Sequence, residues 1–396
     1  MVDDDTNQAK APPAKKSAGK KAAAKEPPPA EPVADIDVSP GVPKVFDAPD
    51  LLKPPVRRAA YSDRTAWLMA SLSELAYFQF EGSQAGLASL IADIQSLVSG
   101  GKPSDKEADI ARLVSGFLNI QQMTDDEAKE ELRKALNVAG LTLDNIYNMA
   151  GTQAFLAHLD PKDGAPGMRV LVFRGTEKNV KDIWTDLDAV LVPAIGAIGG
   201  EKVHRGFQRA YDVVRGEIEA DLNKRPDLPL YITGHSLGGA LAIVATWFTA
   251  ANSLGACYTF GGPRVGSLEF GERFKTPIYR VVNASDYVPR VPPSWLVDLF
   301  RGLCHLMPVP GSDFVVRFLD RFSGYIHFGD MRYLRHSDPG PKGGFPEMKV
   351  ISNPSLAIRG GWVVRRWIST WGKGGVEDHS IGLYRRKLRA YAIRRN

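Results

Sequence analysis

The stretch "YITGHSLGGALAIVATWFTA", residues 231–250, sets one serine between two glycines, each two positions away. Before it, Pro229, Leu230, Tyr231 and Ile232 form a short β-type run, and Gly238 to Ala251 reads as a helix rich in Ala and Leu. Ser236 therefore falls on a strand-to-helix turn. Such a turn demands strained backbone angles at the serine and minimal side chains at Gly234 and Gly238, where strand and helix pass close together. A G-x-S-x-G pattern also recurs by chance, and a tight turn that merely contains Ser fits it equally well. The surrounding sequence has to separate the two.

The chain has 396 residues, 44% of them hydrophobic, and a formal charge of +5. The apolar residues are unevenly spread. Residues 1–55 are dominated by Ala, Pro, Lys and acidic residues ("AKAPPAKKSAGKKAAAKEPPPAEPVAD") and bury too little apolar surface to offset their ordering entropy. They are expected to form a disordered arm, and residues 56–396 one domain. The N-terminus carries no apolar signal-peptide core, and no uncharged apolar stretch is long enough to span a bilayer. The expected location is the cytoplasm or a membrane surface, with export by another route left open. Two cysteines, Cys257 and Cys304, give no disulfide framework. The basic C-terminal stretch "YRRKLRAYAIRRN" has no nucleic-acid motif beside it. No His/Cys/Asp cluster shows metal-ligand spacing and no phosphate-binding Gly loop is visible, so no cofactor and no metal are expected.

Helical spacing of apolar residues begins in "YSDRTAWLMASLSELAYFQF" from Ala66 to Tyr77, and further helical segments follow at about 87–98, 105–118 and 125–138. "QAFLAHL" and "MRVLVF" read as a strand pair about the turn "DPKDGAPG". A helix from about Gly206 to Leu222, the Ser236 turn, and the strand-then-loop units "ACYTFGGPRVG" and "IYRVVNASDYVPRVP" complete the pattern. Strands alternating with helices indicate an α/β architecture with a mainly parallel sheet flanked by helices. No internal repeat is present.

A serine hydroxyl is a poor nucleophile until a base accepts its proton, and the base needs a third group to hold its tautomer. In the hydrolase form of such a sheet these groups follow the chain order Ser, then Asp or Glu, then His. Asp286 stands just beyond the strand Ile278 to Val282, and His379 opens a C-terminal helical pattern in "VEDHSIGLY". Asp298, Asp320 and Asp378 are weaker rivals to Asp286, because none directly follows a strand. His327 also lies after Asp286, so chain order alone leaves it open as the base. One oxyanion donor is expected at the Leu237 backbone N–H, directly after the serine.

The segments "VLVFRGT", "WTDLDA", "VHRGFQRAY", "ITGHSLGGALA", "YTFGGPRVG", "RVVNASDYVPRVPP", "YIHFGDMRY" and "DHSIGLY" resemble, in order, those of the class 3 (fungal-type) lipase family of α/β-hydrolases. The resemblance spans residues 145–392 and implies an α/β-hydrolase fold. By resemblance the nucleophile falls on Ser236, the acid on Asp286, the base on His379 and a second oxyanion donor on Thr176. His204, His235 and His327 become structural histidines. The stretch after Thr176 becomes a lid helix, with Ile183, Trp184 and Leu187 on one face. The implied reaction is hydrolysis of lipid carboxylic esters, acylglycerols first, by a lipase or esterase at a lipid–water interface. Phospholipase A1-type cleavage and acyl transfer use the same residues, and a non-catalytic lipid-binding protein would be expected to have lost one of them. Two departures from the family pattern bear on substrate size: the helical region at 82–140, and the insertion at 294–323, which reads as two short amphipathic helices.

Overall fold

The computed structural model describes residues 44–53, 60–77, 126, 128–162, 166–175, 190–249, 255–292, 322–340, 344–371 and 373–395, all within the compact unit Pro40–Asn396. Ten strands run in chain order as β1 (Thr142–Met149), β2 (Thr152–Leu159), β3 (Met168–Phe173), β4 (Leu191–Pro193), β5 (Lys202–His204), β6 (Leu230–His235), β7 (Cys257–Phe260), β8 (Ile278–Asn283), β9 (Asp330–Leu334) and β10 (Val350–Ser352). The helices are α1 (63–77) and α2 (128–138), then α3 (Arg205–Leu222), α4 (Leu237–Thr249), α5 (Leu268–Glu272), α6 (Leu356–Thr370), α7 (Gly374–Glu377) and α8 (Ile381–Arg395).

Eight of the strands form one sheet in the order β1-β2-β3-β6-β7-β8-β9-β10, and β4 pairs with β5 separately. The sheet is parallel from β3 through β6, β7 and β8 to β9, and antiparallel at the β1, β2 and β10 edges. This is the mainly parallel, helix-flanked α/β architecture expected from the alternation of elements, and it agrees with the α/β-hydrolase fold that the resemblance implies. The expected pair "QAFLAHL" and "MRVLVF" is the antiparallel β2–β3 ladder, running from Ala154 opposite Phe173 to Leu159 opposite Met168.

The apolar runs of β3, β6, β7 and β8 are buried throughout because helices cover both faces of the sheet. Strand alternation divides their side chains between two cores. Val170, Val172, Tyr231 and Tyr258 point to the side packed by α1, α2 and α8. Leu171, Phe173, Ile232 and Cys257 point to the side packed by α3 and α4. Trp67 is buried in the first core and Tyr211 in the second. Between them the parallel strands deliver their carboxyl ends to a single edge, where ligand sites form in such sheets.

Three features differ from the sequence expectation. β1 had no apolar run to announce it, because as an edge strand it leaves most of its residues exposed or half-buried. α6 buries no residue fully, so burial periodicity does not mark it. The third concerns the arm: residues 44–52 pack onto the domain although composition assigned them to the disordered stretch. Val45 and Leu51 are buried in the core, and Asp47 pairs with Arg385 at 3.3 Å and Arg389 at 3.1 Å on α8. The two helical departures, at 82–140 and 294–323, lie largely outside the described residues. Among the described residues no helix is long and apolar enough to cross a membrane.

Truncation tests this N-terminal contact. A chain starting at residue 44 should match the full chain in urea unfolding. One starting at residue 56 should lose about 3 kcal/mol or more, since burying a Val or Leu side chain contributes about 1.5–3 kcal/mol each. Equal unfolding midpoints for the two truncations would show that residues 44–55 contribute nothing to the fold.

Candidate active site

β6 ends at His235 and α4 begins at Leu237, so one residue makes the turn. Ser236 has φ +56°, the left-handed region that side chains other than glycine rarely occupy. Its amide is pinned by a 2.9 Å bond to the Phe260 carbonyl on β7. The flanking glycines are needed for clearance. A Cβ on Gly234 would stand 2.3 Å from the Gly238 backbone, and one on Gly238 would stand 2.4 Å from the Phe173 carbonyl. Leu237 is the first residue of α4, so its N–H is one of the amides that no carbonyl within the helix can accept.

Two other elements reach this turn. Asp286 follows β8 and is fully buried, with Oδ1 accepting the Val288 N–H at 3.0 Å and Oδ2 the Tyr384 hydroxyl at 2.6 Å. His379 lies between α7 and α8. Its Nδ1 stands 3.0 Å from both Asp286 oxygens and its Nε2 2.9 Å from Ser236 Oγ. A carboxylate only accepts, so Nδ1 carries the proton and Nε2 faces the serine as an acceptor. Gly261 after β7 makes room for the pair: its φ is +60°, and a Cβ there would meet Asp286 Oδ2 at 2.6 Å and His379 Nδ1 at 3.0 Å.

Tyr384 is held as a proton donor, because burial first and the Asp286 charge second push its phenol well above its ordinary pKa. Its oxygen also accepts the Asn283 N–H at 2.9 Å. Asp378 receives the Ser285 N–H at 3.0 Å and hydroxyl at 2.6 Å on Oδ2, and Asn283 Nδ2 donates to its carbonyl at 2.8 Å. Asp378 thus ties the loop carrying Asp286 to the residue before His379. On the far side, His235 Nε2 donates to the His379 carbonyl at 2.7 Å, and Tyr77 donates to His235 Nδ1 at 2.8 Å. Burial, with the neighbouring His379 second, pushes the His235 imidazolium well below its ordinary range, so the ring stays neutral in this relay.

The structure brings Ser236, Asp286 and His379 together and gives His327 and His204 other partners. His327 donates from Nε2 to the Pro289 carbonyl. His204 caps α3, accepting the Gly206 and Phe207 amides on Nδ1. Thr176, Asp298, Asp320, Cys304 and the lid stretch with Ile183, Trp184 and Leu187 lie outside the described residues. Cys257 is a free, buried thiol. Among the described residues no group of three His, Cys, Asp or Glu side chains is arranged to hold a metal ion. Sequence reasoning missed Gly261, Tyr384 and Tyr77. Gly261 carried a faint signal, as the first glycine after a strand in "TFGGP". The two tyrosines carried none, because their parts in the site depend on distant segments.

Residues 170–295 match the family described as Lipase (class 3). Toxin TseL of Vibrio cholerae is 32% identical over 195 residues, which is 47% of this chain and 28% of that protein. The Lipase of Rhizomucor miehei is 34% identical over 145 residues, 33% of this chain and 39% of that lipase. The chain thus aligns with well under half the length of each curated relative. Among solved structures, the native Rhizomucor miehei lipase propeptide complex superposes with a TM-score of 0.41 and 24% identity, covering 56% of this chain and 63% of its own.

Removing one hydroxyl tests the support of Asp286. Tyr384→Phe takes a donor from the buried carboxylate and an acceptor from the Asn283 amide. Urea unfolding should show a loss of about 2–4 kcal/mol, since a hydrogen bond to a charged group contributes about 1.5–3 kcal/mol and an orphaned buried donor costs about 1–3. A loss below about 0.5 kcal/mol would mean that water replaces the tyrosine and the network is not rigid.

Proposed function

We propose that this chain, a member of the class 3 lipase family through residues 170–295 of its α/β-hydrolase fold, hydrolyses carboxylic esters of lipids through an acyl-enzyme on Ser236. The observation that carries the reading is the continuous line from Ser236 Oγ through His379 to Asp286, at 2.9 and 3.0 Å. In the proposed reaction His379 Nε2 takes the serine proton as Oγ attacks the ester carbonyl. Asp286 holds the Nδ1–H tautomer and stabilises the imidazolium that forms. The negative charge on the former carbonyl oxygen falls to the Leu237 N–H, with Thr176 as the second donor by family resemblance. The imidazolium then protonates the departing alcohol. Water enters, gives its proton to His379 and attacks the acyl-serine carbonyl, and collapse returns the proton to Ser236 as the fatty acid leaves.

Acylglycerols are the substrate the family resemblance favours. A lipid surface as the working environment draws support from α6, which reaches the site through α7. Val364, Trp367, Ile368 and Trp371 at its C-terminal end are exposed by 56, 63, 62 and 92%. Tryptophan with neighbouring arginines (here Arg365 and Arg366) suits the boundary between headgroups and acyl chains.

Two measurements test the reading. On p-nitrophenyl esters and emulsified acylglycerols, Ser236→Ala and His379→Ala should each lower kcat by about a million-fold, and Asp286→Asn by about ten-thousand-fold. Turnover that survives in Ser236→Ala would remove the acyl-enzyme. For the lipid surface, the pair Trp367→Ser and Trp371→Ser should weaken activity on vesicles or emulsions while leaving a soluble short-chain ester unchanged. An equal effect on both substrates would assign these tryptophans to the fold.

A further inference from the structure

A group of arginines lies beyond the Asp286 loop and takes no part in the chemistry above. Arg280, in the middle of β8, is 8% exposed; its Nε donates to the Phe328 carbonyl at 2.8 Å, and its buried Nη1 has no partner. Residues 289–292 form a strap across the neighbouring loops. The Arg264 amide donates to the Val291 carbonyl at 2.8 Å and its guanidinium to the Pro292 carbonyl. His327 donates to Pro289. Arg290 ends the short turn Val288–Arg290 in the same strap. Arg359 enters from α6, whose Trp362 stacks on Tyr333 of β9 at 5.4 Å between ring centroids. Its Nε is buried and also has no partner.

These groups feel one another. Burial comes first in pushing the guanidinium of Arg280 down to about 10, followed by the charges of Arg359 and Arg264. Arg264 is lowered by burial and then by Arg359. Arg290 is lowered by burial, with Arg359 adding to it, while Tyr333, Asp286 and Asp378 act the other way. His327 is pushed well below its ordinary range by burial, then by Arg280, Arg264 and Arg359, and is neutral. Asp330 acts on Arg280. Yet among the described residues no carboxylate forms an ion pair with Arg280, Arg290 or Arg359.

Buried guanidinium N–H groups without acceptors are costly, and like charges gathered around them add to the cost. Native interiors rarely leave such groups unsatisfied. A bound anion removes both penalties together. The guanidinium groups come from a strand, a loop and a helix, the strand and loop segments being joined through the Pro289, Pro292 and Phe328 carbonyls. Several donors of this kind suit a tetrahedral oxyanion better than a planar carboxylate, whose two oxygens one fork can occupy. We propose that Arg280, Arg290 and Arg359, with Arg264 beside them, bind a phosphate-type oxyanion, carried on a phospholipid headgroup or as free phosphate. The site is separate from the Ser236 chemistry and stands whether or not the chain hydrolyses esters.

The test uses the full chain carrying Ser236→Ala, so that turnover cannot change the ligand. At constant ionic strength, inorganic phosphate should raise the melting temperature by about 2 °C or more over chloride and acetate. Arg359→Gln should raise the melting temperature in chloride, by relieving repulsion, and abolish the phosphate increment. Arg290→Gln should abolish it as well and is the variant to read if Arg359→Gln fails to fold. Sedimentation with phosphatidylcholine vesicles, with and without phosphatidylglycerol, identifies the source. Binding to the anionic vesicles that falls about fivefold in Arg359→Gln, but not in Arg365→Gln on the exposed side of the same helix, assigns a lipid headgroup. A phosphate increment without that dependence assigns free phosphate. Phosphate no better than acetate, together with vesicle binding equally sensitive to Arg365 and Arg359, would overturn the site and leave only diffuse attraction.

Discussion

The bond between His379 and Ser236 closes a loop of 143 residues, and the geometry at the sheet edge depends on that closure. Bringing two points so far apart together costs on the order of 4 kcal/mol or more in chain entropy. One hydrogen bond returns about 1 kcal/mol net. The Ser–His contact therefore cannot hold itself in place, and the closure rests on the docking of α8. Tyr384, Leu388 and Ala392 are buried on the α8 face turned to the core. Arg385 bonds Glu74 on α1 at 2.6 Å and Asp47 in the N-terminal segment at 3.3 Å. The helix that follows His379 is thus fixed by contacts that play no part in its chemistry.

Asn283 is the hub of the polar contacts between α8 and the sheet. Asn283 donates its amide to Tyr384, donates its side chain to the Asp378 carbonyl, and accepts from Lys387 Nζ at 2.7 Å. Burial pushes the Lys387 ammonium down to about 8. Asp378 and Asp286, far apart in sequence, divide the work: the first anchors the loop, the second orients the imidazole. Losing the first would leave Ser285 without its acceptor, and losing the second would leave His379 without its partner. His235 closes the far side as a neutral ring, holding the His379 carbonyl without adding charge beside the base.

Legibility from sequence follows how local each constraint is. Ser236, Gly234 and Gly238 could be read because one turn contains both the pattern and its physical cause. Asp286 could be read because it directly follows an apolar strand. His379 could not be separated from His327 by chain order alone, since both lie downstream. The resemblance favoured His379, and the structure gives His327 a backbone partner at Pro289. Tyr77 and Tyr384 were silent because each matters only through a residue on another element. Residues 44–52 were hidden by their Ala/Pro/Lys surroundings, where the apolar side chains of Val45, Phe46, Ala48 and Leu51 are outweighed by composition. α6 was hidden for the opposite reason: a helix that buries nothing fully lacks the periodic signature of a core-facing helix.

α6 also touches both ends of the site. Near its start Arg359 stands within the arginine group, and one turn later Trp362 stacks on Tyr333, whose hydroxyl bonds the Ala284 carbonyl at 2.7 Å, two residues before Asp286. Near its end Arg366 lies 3.5 Å from Asp378 and 3.3 Å from Glu377. A single helix therefore connects the uncompensated charge at one end with the carboxylate that anchors His379 at the other. Since its packed face consists of half-buried side chains, α6 is held by few contacts and by the electrostatic balance around Arg359 and Arg366. An oxyanion held by the arginine group would offset the repulsion between Arg359 and Arg280 at one end of the helix whose other end pairs with the carboxylate that anchors His379.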